Sequence, residues 1–369
     1  MKKNFLVIIS LALALCVLFS GCASSSAPSA SFAAPSAANS SSAAPQSQKE
    51  TRVFTDSAGR KVTVPVHIKS AAPSGPMAQI VLYTAAPDKL AGLASDFSAD
   101  AKKYIDKKYW SLPKFGQFYG KNASLNMEAL AAAAPDVIID IGEAKKTVKE
   151  DMDGLQKQLG IPTVFISATL DTMPQTYTML GDLLGETDRA AQLSAYCKKT
   201  IGSADTIAKS IPAGQKVRVY MAIGESGLNT NAAGSIHADV LNRVGAENVA
   251  NVEVVSSGGG SKVSLEQILK WNPDVILADG DLSYKAIMTG SAWKDVKAVK
   301  NGKVYRIPSA PYSFISNPPS VNRIIGINWL GNLVYPQKYN LNIEKEVKEF
   351  YKLFYSVDLT DAQYKEIVK

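Results

Sequence analysis

The sequence predicts an α/β protein of two Rossmann-like lobes with parallel-rich sheets, joined by a helical connector. Three observations carry that expectation. A phrase of one design occurs twice, SLNMEALAAAAPDVIID ending at Asp140 and VSLEQILKWNPDVILAD ending at Asp279. Strand-like and helix-like patterns alternate through both halves, the order that builds parallel sheets covered by helices. Between the halves, residues 171–210 read as helix with no strand.

The N-terminus fixes the compartment. Lys2 and Lys3 precede an apolar run from Phe5 to Phe19 that stops at Ser20-Gly21-Cys22. The run is short for a membrane span and has the form of a secretion signal. Small residues directly before a cysteine resemble the bacterial lipobox, in which the cysteine is diacylated and becomes the first mature residue. Phe19 departs from the aliphatic residue usual there, and the alternative is ordinary cleavage near Ala23 to Ala27 with Cys22 lost. Residues 1–21 are thus read as a lipoprotein signal peptide, and residues 22–51 as the lipidated Cys22 with a tether. The Ser, Ala, Pro and Gln that fill 23–48 hold too little apolar surface to offset the entropy of ordering them. The expected location is the outer face of the cytoplasmic membrane.

Some 320 residues remain, enough for two domains. The first lobe is expected over 52–170, the connector over 171–210 and the second lobe over 211–369. VFTDSAGRKVTVP (53–65) alternates around an Ala-Gly turn and reads as a hairpin. QIVLYTAAPDKLAGL (79–93) reads as strand, loop and helix. In each copy of the repeated phrase, Asn126 or Ser264 can cap a helix, a Glu (Glu128, Glu266) follows, and the helix runs to Pro135-Asp136 or Pro273-Asp274. Proline disfavours helical geometry in the residue before it, so helix, break and buried strand follow from local chemistry. GIPTVFIS (160–167) is a buried strand, and the connector is broken near Gly185. The second lobe opens with KVRVYMAIG (216–224), continues through a helix at His237 to Val244, and closes with KVYRIP (303–308) and two helical stretches, Ile325 to Leu333 and Ile343 to Phe354.

Several function classes are excluded. The formal charge is +7, and loss of Lys2 and Lys3 leaves +5 in scattered residues without a basic-aromatic platform, so nucleic acid is not a partner. Cys16 leaves with the signal and Cys22 carries lipid, so Cys197 stands alone in a helical pattern as a buried apolar residue. His67 and His237 are far apart, with no metal-binding cluster around either. SSGGGSK (256–262) lacks phosphate-loop spacing and GESG (224–227) is not a nucleophile elbow. Asp140, Glu143, Asp279 and Asp281 end strands and are read as solvated loop acids. No catalytic residue, cofactor or resident metal is expected.

With these pieces in order, the chain resembles the type III substrate-binding proteins of ATP-driven importers, which serve iron-siderophore, haem and cobalamin uptake. The resemblance rests on TDSAGRKVTVP, both Glu-to-Pro-Asp-Val modules, LGDLLGETDRAAQL (180–193), VLNRVGAENVAN (240–251), AWKDVKAVKNGKVYRIP (292–308) and FYKLFYSVDLTDAQ (350–363). It implies lobes bridged by a long rigid helix, a modest hinge movement on binding, and a monomer that delivers its load to an ABC permease dimer with its ATPase. It also implies that Glu128 and Glu266 crown the two lobes and pair with permease arginines; the local alternative is stabilisation by the helix dipole.

A metal chelate, foremost an iron-siderophore complex, is the expected ligand, with haem, cobalamin and an oxyanion such as molybdate as alternatives. A chelatase-like enzyme or a sensory receptor on a related fold is the reading from other classes. IPSAPYSFISNPPSVNR (307–323) is rigid and aromatic-bearing, as a lining loop would be. Tyr312 and Phe314 offer flat surfaces, and Arg323 offers a charged planar fork for anionic oxygens. By family position, KFGQFYGKN (114–122) faces the same cleft and adds Gln117 and Tyr119; Tyr83 and Trp293 complete the expected set.

Overall fold

The computed structural model describes residues 50–120, 122–255 and 259–369. The signal peptide, Cys22 and residues 23–49 of the tether lie outside them, as do residues 256–258 of the glycine-rich segment.

The hairpin is β1 (Thr51–Thr55) and β2 (Lys61–Pro65), paired antiparallel with Val53 opposite Thr63. Asp56 closes its turn by accepting from the backbone N–H of Ala58 and Arg60 and from the Arg60 guanidinium at 2.8 Å. The first lobe continues with β3 (Ala71–Pro73), α1 (Pro76–Ala85), α2 (Met127–Ala133), β4 (Val137–Gly142), α3 (Val148–Leu159) and β5 (Thr163–Ser167). Its sheet is parallel in the order β3-β4-β5. Two local expectations fail: QIVLYTA is helix, not strand, and the helix expected after its loop is only a short 3-10 turn, Pro87–Lys89. Pro76 starts α1 at the position where a missing N–H costs nothing, and every residue from Ala78 to Ala85 is buried, so the amphipathic period that marks a helix is absent.

The connector is α4 (Met173–Leu184) and α5 (Thr187–Lys209), broken where Gly185 takes a left-handed conformation at φ 72°. Gly181 lets the two helices meet, because a Cβ there would lie 2.4 Å from that of Ala190. Cys197 is buried on α5.

The second lobe holds β6 (Arg218–Ala222), β7 (Asn229–Thr230), α6 (Asp239–Arg243), β8 (Glu247–Asn248), β9 (Ser261–Lys262), α7 (Leu265–Trp271), β10 (Val275–Ala278), α8 (Asp281–Thr289), α9 (Lys297–Lys300) and β11 (Val304–Arg306). Its main sheet is parallel in the order β11-β10-β6-β8, with β7 and β9 as a small antiparallel ribbon. The C-terminal part comprises α10 (Asn322–Val334), α11 (Pro336–Tyr339), α12 (Ile343–Tyr355) and α13 (Asp361–Ile367). On α12 the buried face is Val347, Phe350, Tyr351, Phe354 and Tyr355, with Phe350 and Phe354 stacked at 4.4 Å.

The repeated phrase folds the same way twice. Asn126 accepts from Ala129 N at 3.0 Å to cap α2, and Ser264 accepts from Gln267 N at 3.1 Å to cap α7. Each helix ends on a left-handed residue directly before proline, Ala134 at φ 41° and Asn272 at φ 47°. The aspartate after each proline then fixes the neighbouring strand: Asp136 accepts from Lys69 N and Ser70 N ahead of β3, and Asp274 accepts from Arg218 N at the head of β6. The phrase therefore sets both a helix-strand joint and the register of the strand beside it.

Candidate functional site

In a parallel α/β sheet the carboxyl ends of the strands open onto the ligand crevice. Each lobe places there the aspartate that closes the repeated phrase, Asp140 within β4 and Asp279 directly after β10. In the first lobe Asp140, 6% exposed, accepts from the Ser74 hydroxyl in a short hydrogen bond and from the Tyr119 hydroxyl at 2.7 Å. In the second, Asp279 follows β10 and accepts from the Ser316 hydroxyl at 2.7 Å. Burial pushes both carboxyls above the usual carboxylate range, with the hydroxyl donors opposing that shift. These are not solvated loop acids. Each is a desolvated carboxyl held by a serine.

A cavity of about 340 Å³ lies between the lobes, lined by Gln79, Ser95 and Asp96 from the first and by Asp279, Tyr312 and Ser313 from the second, among others. The polar groups continue beside it. His237 Nδ1 lies 3.3 Å from the Ser316 carbonyl, and its charge bears on Asp279. One residue back, the Ile236 carbonyl accepts from Arg323 Nη1 at 3.0 Å. Arg323 is wholly buried, 3.6 Å from Asp239, and its Nε and Nη2 meet no hydrogen-bond acceptor among the described residues. Burial lowers its pKa to about 10, against the opposing fields of Asp239 and of Glu143 from the first lobe. It remains a guanidinium at neutral pH. Across from it, Lys145 sits over the Tyr119 ring at 4.9 Å and bears on Asp140. Beside the connector, Arg243 of α6 binds Asp205 of α5 at 2.6 Å and makes a short ion pair with Asp171, in the loop after β5. The segment 235–243 thus touches the polar seam at one end and the first lobe at the other.

The expected residues fall into three groups. Tyr312 lines the cavity; Tyr119 holds Asp140, Gln117 donates to the Tyr119 carbonyl at 2.9 Å, and Arg323, wholly buried, holds the Ile236 carbonyl without lining the cavity. Three aromatics do not reach the cleft. Phe314 is 0% exposed, with its carbonyl pressed on Gly326 of α10. Trp293 packs with Tyr220 inside the second lobe. Tyr83 is edge-on to Tyr109 and lies face to face with Tyr355, lining a separate cavity of about 630 Å³. Their large rings gain more from burial in packed cores than a ligand contact would supply. Glu128 and Glu266 are exposed in the first turns of α2 and α7, Glu266 with Lys270 at 3.1 Å. Cys22 lies outside the described residues. Sequence reasoning missed Ser74, Lys145 and Ser316; its placing of His237 at a helix start holds, with the Ser235 hydroxyl accepting from His237 N. The paired aspartates ending the repeated phrase were the available signal for a symmetric site.

Two parallel-sheet lobes, a helical connector between them and a polar seam where strand ends meet define a two-lobed solute-binding protein. The comparisons agree. A family model described as Periplasmic binding protein matches residues 68–311, more than half the chain. A solved ABC transporter solute binding protein from Sulfurospirillum deleyianum DSM 6946 is 30% identical, with a TM-score of 0.79, over 86% of this chain and 98% of that one. Molybdate-binding protein MolA of Haemophilus influenzae is 27% identical over 82% of this chain and 91% of its own length. Fe(3+)-citrate-binding protein YfmC of Bacillus subtilis is 24% identical over 82% and 89%. The chain belongs to the periplasmic binding protein family, as a type III substrate-binding protein of an ABC importer. It works outside the cytoplasm, and it acts by binding, not catalysis. Among the described residues no helix is long and apolar enough to cross a membrane.

Proposed function

We propose that the protein is a lipid-anchored receptor that takes up a compact oxyanion of the molybdate type between its lobes and delivers it to an ABC permease. The observation that carries this is Arg323. A buried guanidinium with two unpartnered nitrogens is costly unless an acceptor meets them, and planar paired donors suit the oxygens of an oxyanion. His237, next to the Ile236 carbonyl that Arg323 holds, brings Ser316 and Asp279 to the same side of the cleft. The similarity to MolA supports the same ligand class.

The aromatic stacking that would favour a siderophore keeps only Tyr312 at the cavity, because Trp293 and Phe314 pack in the cores and Tyr83 lines a separate cavity. A ferric chelate is kept as the second reading for one reason: YfmC, similar over most of both chains, is named for ferric citrate, whose outer surface is carboxylate oxygen. Titration calorimetry with sodium molybdate, ferric citrate and haem decides between them. Molybdate should bind, and Arg323→Lys, which keeps the charge but loses the fork, should weaken binding at least tenfold. Binding of ferric citrate or haem alone would overturn the oxyanion reading. Should Arg323→Lys fail to fold, His237→Ala, at a partly exposed site, carries the same test.

Delivery rests on Glu128 and Glu266. Both are exposed, and each lies beside an exposed apolar side chain, Met127 and Leu269. Such charges orient a partner and set encounter rates across an interface. Glu128→Lys or Glu266→Lys should abolish uptake in reconstituted vesicles and leave ligand affinity unchanged; a loss of affinity would return them to a structural role. Anchoring through Cys22 is tested by the intact mass of protein extracted from membranes, with diacylglyceryl on Cys22 expected.

A further inference from the structure

The loop between β11 and α10 supplies half of the interlobe cavity, through Ser309, Pro311, Tyr312, Ser313, Asn317 and Pro318, and has no helix or strand of its own. Something must hold it. Two tyrosines four residues apart on α12 lie on one helical face beneath it. The Tyr351 hydroxyl donates to the Ala310 carbonyl in a short hydrogen bond. The Tyr355 hydroxyl donates, again in a short bond, to Asn322 Oδ1, and Asn322 Nδ2 donates in turn to the Tyr312 carbonyl at 3.0 Å. Asn322 is 0% exposed, Tyr351 0% and Tyr355 3%. Burial raises the pKa of both tyrosines, so their hydroxyls stay protonated as donors. Asn322 has its amide orientation fixed from both sides, acceptor toward α12 and donor toward the loop. It also precedes Arg323, so the contact that seats Tyr312 seats the start of the helix bearing the guanidinium.

We propose that Tyr351, Tyr355 and Asn322 are positioning residues of the solute site: none lines the interlobe cavity, yet their hydrogen bonds set where the Tyr312 segment and Arg323 stand. The inference rests on the reading of the cleft as the solute site. Its consequence is that hydroxyls on the far side of the loop control how long the ligand stays. Without them the loop samples other placements, and a preorganised pocket becomes one that must be ordered on each binding event.

The test uses Tyr351→Phe and Tyr355→Phe, which remove only a hydroxyl, beside Tyr196→Phe as control. Tyr196 belongs to the same aromatic packing, against Phe350 and Phe354, but its hydroxyl bonds neither the loop nor Asn322. Two readouts are taken: amide hydrogen exchange across 309–317 in ligand-free protein, and dissociation of molybdate followed by tryptophan fluorescence in stopped flow. Tyr355→Phe and Tyr351→Phe should each speed exchange in that segment and molybdate dissociation about tenfold, and Tyr196→Phe should change neither. Equal behaviour of all three variants, or unchanged exchange in the first two, would overturn the proposal. If either variant fails to fold, the other decides alone. If the unaltered protein does not bind molybdate, the oxyanion reading falls, and the exchange measurement still decides whether these residues seat the loop.

Discussion

The two lobes answer one structural question differently. Both bring the aspartate of the repeated phrase toward the carboxyl end of an inner strand, buried in the first lobe and half-buried in the second, and both hold it with a serine hydroxyl. In the first lobe the serine sits at the head of α1, directly after β3, and Tyr119 adds a second donor. In the second lobe Ser316 comes from the loop after β11, and His237 stands near in place of a second hydroxyl. The first lobe therefore presents a wall made from the start of α1 and from the loops that carry Ser95, Asp96 and Tyr119. The second presents a loop that needs support from α10 and α12. Similar modules thus leave ligand recognition to the parts that are not repeated, as expected when function lies in sites grafted onto a common fold.

The largest effects should come from the two glycines against which the lining segments rest. A Cβ at Gly326 would lie 1.7 Å from the Phe314 carbonyl oxygen, and one at Gly116 would lie 2.1 Å from that of Ser124. Backbone yields poorly, so Gly326→Ala and Gly116→Ala should each cost about 3 kcal/mol or more in denaturant unfolding. Gly116 adds a left-handed φ of 79°, so the first lobe should lose more. An equal or smaller loss there would show that its wall is the softer one.

Next come the residues before the two prolines. Ala134 holds a left-handed conformation that Asn272 tolerates better. Ala134→Asn should stabilise the protein and Asn272→Ala destabilise it, each by up to about 1 kcal/mol, read as opposite shifts of the melting temperature. The helix caps should match one another: Asn126→Ala and Ser264→Ala are each expected to cost about 1 kcal/mol. A clear inequality would mean that one module depends more on its surroundings than the other.

The aspartates separate the lobes by pH. With folded pKa values above the unfolded one, Asp140 and Asp279 bind more protons in the native state. Their contribution to stability is present below the unfolded value and is lost as pH rises through the raised one. For an anion the sense is the same: affinity should rise as pH falls and the two carboxyls neutralise. Asp279→Asn and Asp140→Asn should each remove part of that slope in calorimetric titrations at several pH values. A slope untouched by either substitution would separate these carboxyls from the ligand.

Much of this was legible in the sequence because it is local. Caps, the left-handed break before Pro135 and Pro273, the hairpin at Ala58-Gly59 and the stop at Gly185 depend on residues a few positions apart. The chemistry of Arg323 and Tyr312, whose ligand role is proposed, was legible for a related reason, since a fixed charge and a proline-bound aromatic loop carry chemistry wherever they fall. Phe314, Trp293 and Tyr83 were not, because whether an aromatic ring faces ligand or core depends on segments distant in sequence, such as Gly326, Tyr220 and Tyr355. The 79–85 segment failed for a similar reason. A helix buried on all sides has no polar face to announce its period, and Ile80 and Val81 then read as strand. Asp140 and Asp279 were misjudged because neither serine that holds them is adjacent in the chain.

One hydrophobic cluster runs from Ile139 and Val164 in the first sheet, through Leu193 and Ile201 of the connector and Phe350 and Phe354 of α12, to Val219, Met221, Val275 and Leu277 in the second sheet. Heat should therefore melt the lobes together. Destroying either sheet strips apolar partners from the same continuous interior, so neither half can survive as a folded remnant. A single calorimetric transition is expected, with the measured enthalpy equal to the van't Hoff value. Damage to one lobe would then register as lost cooperativity of the whole chain.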